Sequence, residues 1–222
     1  AWLIRRNVTA VGGRWRPSLV LDKGRFRRMI AINRDLFIRT LCLEAAFVLL
    51  TALGARMGDV ILAANAVLLI FQTFMSYSLD GFAHAAEALT GSALGSRDRD
   101  EFRGVVKATS IWALGFSVGF ALAYAVLGVI VIEAITDVPE VQETARKYLP
   151  WAVVLPLLSV WSFQLDGIFI GTTRTVDMRN AMIISLAVFV VATAVLFPLF
   201  GNHGLWLAFS GLMVARAVTL GL

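Results

Sequence analysis

Four carboxylates lie inside stretches of sequence that are otherwise apolar enough to cross a lipid bilayer. They are Glu44, Asp80, Glu87 and Asp166. An ionised side chain at the centre of a bilayer costs about 2.5–3.5 kcal/mol on insertion scales, so such groups are rare and usually have a function. The chemistry that they predict is the binding of protons or cations within the membrane.

The second apolar stretch carries its polar residues on one face of the predicted helix. Asp80 and His84 are four positions apart, and His84 and Glu87 are three apart, so both pairs can touch. A row of carboxylate, imidazole and carboxylate can pass protons near neutral pH, which makes His84 and Glu87 candidates for a proton relay. The alternative is that these two residues lie in water at the membrane interface.

Asp166 lies in the fourth apolar stretch, on the same predicted helix as Pro156. Proline removes a backbone N–H and kinks a helix, which frees carbonyl oxygens that can bind a cation beside an acidic group. The spacing therefore predicts a cation site at Asp166. The alternative is a structural kink with Asp166 bonded to a neighbour such as Gln164 or Asn180.

Glu44 lies close to the middle of the first apolar stretch. At 1.5 Å per residue it is about 15 Å from the start of the predicted helix, near the depth where a charge is least stable. This position favours a functional carboxylate. Its alternative is an ion pair with Arg39 or a bond to a neighbouring hydroxyl.

The composition of the chain indicates that these acids lie on membrane-spanning helices. The chain has 222 residues, of which 59% are hydrophobic and 16% charged, whereas soluble domains are about 45–50% apolar and about 25% charged. We therefore predict an all-α polytopic membrane protein with short connections and antiparallel neighbouring helices. Six transmembrane segments are predicted, at about 34–54, 60–95, 103–135, 143–172, 177–199 and 203–222. The second and third are too long for simple spans and predict either extra turns beyond the bilayer or a break near Asp80.

The distribution of basic residues predicts the orientation. Of the 20 Lys and Arg residues, ten lie in the region from Arg5 to Arg39, and the positive-inside rule places that region in the cytoplasm. Residues 1–33 form a basic linker, either a helix lying on anionic lipid or a solvated segment that only fixes the topology. Nucleic-acid binding is disfavoured in so apolar a chain. Both ends have the character of a piece of a longer protein.

Pairs of glycines predict how the helices pack, and the absence of catalytic motifs argues against an enzyme. Gly115 with Gly119, and Gly167 with Gly171, have the four-residue spacing that predicts tight helix packing. The sequence has no P-loop, HExxH, CxxC or GxSxG motif and no nucleophile–base set, so an enzyme is not expected. Its one cysteine and two histidines predict neither a disulfide nor a metal centre.

Two passages resemble the multidrug and toxic compound extrusion (MATE) family, and within it the DinF-like branch. Residues 79–95 read LDGFAHAAEALTGSALG, and residues 165–180 read LDGIFIGTTRTVDMRN. The resemblance covers about residues 30–222 and implies that residues 34–222 are the C-terminal six-helix lobe of a two-lobe transporter. It also implies a partner, the N-terminal lobe of the same full-length protein, which the basic linker would join.

The resemblance implies secondary antiport in a bacterial inner membrane. Family members export cationic amphipathic compounds against inward H⁺ or Na⁺, with no other cofactor. In several relatives a cation site uses a Glu on the first helix and an Asp on the fourth, which makes Glu44 and Asp166 the matching candidates, with Na⁺ possible there. Asp80 is the next candidate for cation coupling. An adaptable substrate surface is expected from five further residues: Met75, Tyr77, Phe82, Phe163 and Gln164.

Two other functions stay open. A lipid-linked sugar flippase of the same superfamily would need a strongly cationic cavity for a pyrophosphate, whereas the residues at bilayer depth here are mainly acidic. A non-transporting membrane scaffold or subunit would bury its acids in closed ion pairs, with no water-filled cleft between the helices.

Overall fold

The computed structural model describes residues 22–221, and these form six helices joined by short connections. The helices are α1 (Lys23–Ala55), α2 (Asp59–Ser96), α3 (Arg99–Ile135), α4 (Pro139–Gly171), α5 (Thr175–Phe200) and α6 (Asn202–Gly221). Each is long and apolar enough to cross a membrane, and the described residues contain no strand. The predicted all-α class with six spans is confirmed.

The helix ends differ from the predicted spans at several points. α1 begins at Lys23, where the Asp22 carboxylate accepts hydrogen bonds from the first-turn N–H groups of Gly24 and Arg25. The latter part of the predicted linker therefore continues α1, while residues 1–21 lie outside the described part. α2 runs unbroken for 38 residues, about 57 Å at 1.5 Å per residue. The predicted break near Asp80 is wrong. The unbroken length exceeds a hydrocarbon core about 30 Å thick, which agrees with the alternative of extra turns beyond the bilayer, and their placement stays a prediction.

α4 is the central helix of the bundle and packs against α2, α3 and α6. A Cβ atom at Gly167 or Gly171 would collide with the backbone of α2 at Ala83 or Glu87, so these glycines permit the close approach that their spacing predicted. Gly115 and Gly119 instead lie on an exposed face of α3, where a Cβ atom would meet nothing within 4 Å. The predicted packing role is therefore wrong for this second pair within the lobe.

Buried polar side chains connect α2 to α6. The Asn65 side-chain amide donates to the Asn202 carbonyl oxygen at 2.8 Å, and the Asn65 Oδ1 accepts from Asn202 and from the Trp206 Nε1–H, each at 2.9 Å. Trp206 is fully buried. Because both amides and the indole are satisfied, this contact fixes the register of the two helices without leaving an unpaired polar group in the core.

Candidate functional site

Asp166 lies at the centre of a buried group of charges. Its Oδ2 atom forms ion pairs with Arg39 of α1 and Arg216 of α6. Asp166 is 5% exposed and Arg216 is 2% exposed, whereas the side chain of Arg39 is 19% exposed. We name Arg39, Asp166 and Arg216 the charge cluster. It joins three helices that are far apart in the sequence.

Arg216 is held on further sides by soft, polarisable groups. Its guanidinium carbon lies 5.7 Å from the centre of the Phe163 ring, in cation–π geometry, and its Nη1 lies 3.6 Å from the Met213 sulfur. Phe163 was predicted to line a substrate cavity, and in this conformation it supports the arginine instead. A buried arginine with one carboxylate and one aromatic face has no route to water, so Asp166 is its essential counter-ion.

Asp80 lies beside the charge cluster without being part of it. Its side chain is half-buried on α2, within electrostatic range of His84 and of all three cluster residues. The cluster alone carries one net positive charge, because two guanidiniums face one carboxylate. An ionised Asp80 brings the local sum to zero, and a protonated Asp80 leaves it at one positive charge.

Glu44 is not brought together with Asp166. It is exposed on α1, and it lies five residues after Arg39, which rotates it about 140° away from the side that faces the cluster. Within residues 22–221, no group of three or more His, Cys, Asp or Glu side chains could hold a metal ion. The two carboxylates suggested as a shared Na⁺ site therefore lie on different surfaces.

The predicted relay residues do meet each other. His84 Nδ1 lies 3.3 Å from Glu87 Oε2, and the two side chains are 77% and 37% exposed. These exposures also fit the alternative in which both residues lie in interfacial water. Their role in proton transfer stays a prediction.

The five residues expected to line a substrate cavity do not share one surface. Met75 and Gln164 are buried inside the lobe, and Gln164 donates to the Thr109 hydroxyl at 2.7 Å rather than bonding to Asp166. Phe82 is half-buried, with its ring centre 4.8 Å from that of Phe116. Tyr77 is 74% exposed. Of these five residues, only Tyr77 and Phe82 are exposed or half-exposed on the surface of the lobe, and their part in a substrate cavity stays a prediction.

A second buried carboxylate was not predicted from the sequence. Asp35 of α1 is 2% exposed and forms ion pairs with Arg179 of α5 at 2.7 Å and with Arg34 at 3.1 Å.

Arg216 was also not predicted from the sequence, although a lone arginine within an apolar helix is itself a signal of a buried partner. Asn180, an expected alternative partner of Asp166, instead accepts a hydrogen bond from Arg179.

Comparison with known proteins shows what this chain resembles. The MatE family profile matches residues 36–196. The chain is 44% identical over 202 residues to DNA damage-inducible protein F of Escherichia coli, a match that covers 89% of this chain and 43% of that protein. Protein DETOXIFICATION 43 of Arabidopsis thaliana is 25% identical over 198 residues, covering 87% of this chain and 37% of that protein. The chain thus spans less than half the length of these relatives.

Solved structures share the fold at low sequence identity. A MOP superfamily transporter from Pyrococcus furiosus, described as having a binding pocket of reversed polarity, superposes with a TM-score of 0.78 and 17% identity over 87% of this chain and 43% of that one. An outward-facing multidrug resistance MATE family transporter gives 0.77 and 16% identity over 87% of this chain and 44% of that one. The six helices therefore have the arrangement found in about half of such a transporter.

Proposed function

The chain belongs to the MatE family, and on that premise we propose that it forms one lobe of a secondary active antiporter. In this proposal the whole protein exports cationic amphipathic compounds in exchange for H⁺ or Na⁺. The N-terminal lobe of the same protein provides the other wall of the cavity. The protein lies in a bacterial inner membrane with residues 1–33 in the cytoplasm.

The observation that carries the proposal is the pair of carboxylates left free within apolar helices. Neither Glu44 nor Asp80 forms an ion pair in the part of the chain that the structure describes, whereas Asp35 and Asp166 each have two arginine partners. A free carboxylate in an apolar segment is unfavourable unless it gains a proton, a cation or a cationic ligand. Glu44 and Asp80 are therefore the best candidates for ion exchange.

Asp80 has the means to couple ion binding to helix position. When it is ionised, it balances the net positive charge of the cluster; when it is protonated, that charge is left uncompensated in a medium of low dielectric constant. Suppose that two conformations of the protein expose Arg39 to water by different amounts. Their difference in stability would then depend on whether Asp80 is protonated. Differential binding of this kind is what alternating access requires.

Asp166 acts in this proposal as a counter-ion that positions Arg39 and Arg216. A Na⁺ ion at Asp166 would have to displace a guanidinium from the same carboxylate oxygen. The closed ion pairs of Asp166 and Asp35 are what a scaffold protein would show, but Glu44 and Asp80, which form no ion pair within the described residues, do not fit that alternative. The two arginines would suit the anionic substrate of a flippase only if they left Asp166.

The test is efflux of a fluorescent amphipathic cation from liposomes that contain the full-length protein. Gradients of H⁺ and of Na⁺ are imposed separately, and the ion that drives efflux is the coupling ion. Asp80→Asn is expected to lose at least 90% of ion-driven efflux, because a neutral amide can neither exchange a proton nor balance the charge cluster. The size of this loss corresponds to about 1.4 kcal/mol, the free energy of a tenfold change. Glu44→Gln is expected to weaken substrate binding, raising KM more than it lowers kcat.

The matched control is Asp137→Asn, an exposed carboxylate in the connection between α3 and α4. This variant also removes one negative charge, but outside the apolar part of the helices, so the variant should show the same efflux as the parent protein. Full ion-driven efflux by both Asp80→Asn and Glu44→Gln would remove these residues from the mechanism. Transport of an anionic lipid-linked sugar in place of the cation would favour the flippase.

A further inference from the structure

A cavity unrelated to the intramembrane carboxylates lies at the connection between α2 and α3. Its volume is about 480 Å³. Three arginines and one aspartate form its polar wall: Arg97, Arg99, Arg103 and Asp98. Apolar side chains from the end of α2 and the first turns of α3, Leu94 and Phe102 among them, form the rest. Its position at the ends of two membrane-crossing helices places it at a membrane surface.

The arginines of this wall outnumber the acids that line the cavity with them. Within the described residues, Arg97 and Arg99 form no ion pair, and Arg103 approaches Asp100 only at 4.0 Å. Asp98 is the acid in the wall, and its Oδ1 already accepts two backbone N–H groups of α3, each at 2.9 Å. Asp100 does not line the cavity. The wall therefore presents three guanidiniums against one carboxylate that is already hydrogen-bonded.

Arg97 has an unusual backbone conformation at the end of α2. Arg97 ends α2 in the left-handed conformation, with φ of 59°, and its N–H donates to the Leu94 carbonyl at 3.2 Å. Glycine is the usual residue at such a position because a side chain is strained there. Leu94, three residues before Arg97, also lines the cavity and is 51% exposed, so it leaves apolar surface accessible beside the arginines.

We propose that this cavity binds the phosphate group of an anionic phospholipid. Guanidinium groups bind phosphate oxygens in pairs of parallel hydrogen bonds, and basic pockets at the ends of membrane helices bind anionic headgroups. The apolar wall formed by Leu94 and Phe102 distinguishes a lipid from free phosphate, because it accommodates the start of an acyl chain. This site does not depend on the transport function proposed above.

The test uses the purified full-length protein in a neutral detergent, titrated with phosphatidylglycerol. Bound lipid is counted by native mass spectrometry, and stabilisation is followed as the rise in Tm. The variant R97Q/R99Q/R103Q is expected to bind on the order of 100-fold more weakly, since each basic side chain near a headgroup contributes about a factor of five. Phosphatidylcholine and inorganic phosphate should produce no comparable rise in Tm.

The matched control is R25Q/R27Q/R28Q, which removes three exposed arginines from the start of α1. A loss of affinity as large as that of the cavity variant would show diffuse surface attraction and overturn the site. An equal rise in Tm with inorganic phosphate would overturn its assignment to a lipid.

A conservative variant separates the site from a folding defect. R97K/R99K/R103K keeps all three charges but loses the paired hydrogen bonds, so we expect binding about tenfold weaker with the parent's Tm in the absence of lipid. Unchanged affinity in this variant would contradict direct phosphate recognition by the guanidiniums.

Discussion

Replacement of Asp166 by asparagine is expected to destabilise the protein mainly through Arg216. The variant removes the carboxylate that both arginines share, but the two arginines respond differently. Arg39 is 19% exposed and can turn toward water, whereas Arg216 is 2% exposed and keeps its charge in the core. The cost is therefore that of one buried, uncompensated guanidinium, about 3–5 kcal/mol.

A second substitution should recover much of this loss. In the double variant D166N/R216M the uncompensated charge is gone, and methionine fills a similar apolar volume beside Phe163. A buried ion pair replaced by apolar groups is often neutral in stability. We therefore expect the double variant to be more stable than D166N by about 2 kcal/mol or more.

The assay is unfolding of the full-length protein by SDS in mixed micelles, followed by circular dichroism. Asp59→Asn serves as the control, because Asp59 is an exposed acid in the first turn of α2 and should change stability by less than about 0.5 kcal/mol. D166N is also expected to insert into the membrane but to lose ion-driven efflux. A D166N protein as stable as the parent, or a double variant less stable than D166N, would refute the pairing of Asp166 with Arg216.

Three further predictions follow from contacts elsewhere in the lobe. Gly171→Ala should destabilise the protein by about 1–3 kcal/mol in the SDS assay, because its Cβ would meet the α2 backbone, whereas Gly119→Ala should be neutral or slightly stabilising. Asn65→Ala should cost about 2–4 kcal/mol, because it leaves a buried amide and an indole N–H without partners; a cost below 1 kcal/mol would contradict that contact. The backbone N–H of Arg25 is the main cause that lowers the pKa of the Asp22 carboxyl from 3.8. The stabilisation of the α1 start is therefore present above pH 3.8 and lost as the pH falls through the lower folded value, which hydrogen exchange of first-turn amides in the parent and in Asp22→Ala would show.

Apolar length was sufficient to predict the helices but not their ends. Stretches of about 20 apolar residues have few alternatives in a bilayer, so six spans could be read directly from the sequence. The start of α1 could not be read in this way. The sequence changes from basic to apolar at about residue 34, but the helix already begins at Lys23, because the basic residues there have good helix propensity and Asp22 caps the first turn. A change in composition marks the membrane boundary and does not mark the end of a helix.

The partners of the carboxylates depend on tertiary packing, which the sequence did not reveal. Asp166 and Arg216 are separated by 50 residues, and only the contact between α4 and α6 brings them together. Arg39 was the alternative partner suggested for Glu44, but helical rotation separates these two residues and turns Arg39 toward Asp166. Helix geometry also shows that Met75 and Tyr77, two positions apart, lie on nearly opposite sides and could not have shared one cavity wall.

The location of Arg216 constrains how the protein can be assembled during synthesis. An arginine within a membrane helix opposes release from the translocon into lipid, by up to about 2.5–3.5 kcal/mol at the helix centre. The carboxylate partner of Arg216 lies on α4, which leaves the ribosome earlier. We therefore expect α6 to integrate more readily when α4 is already in the membrane and can supply Asp166 as its partner.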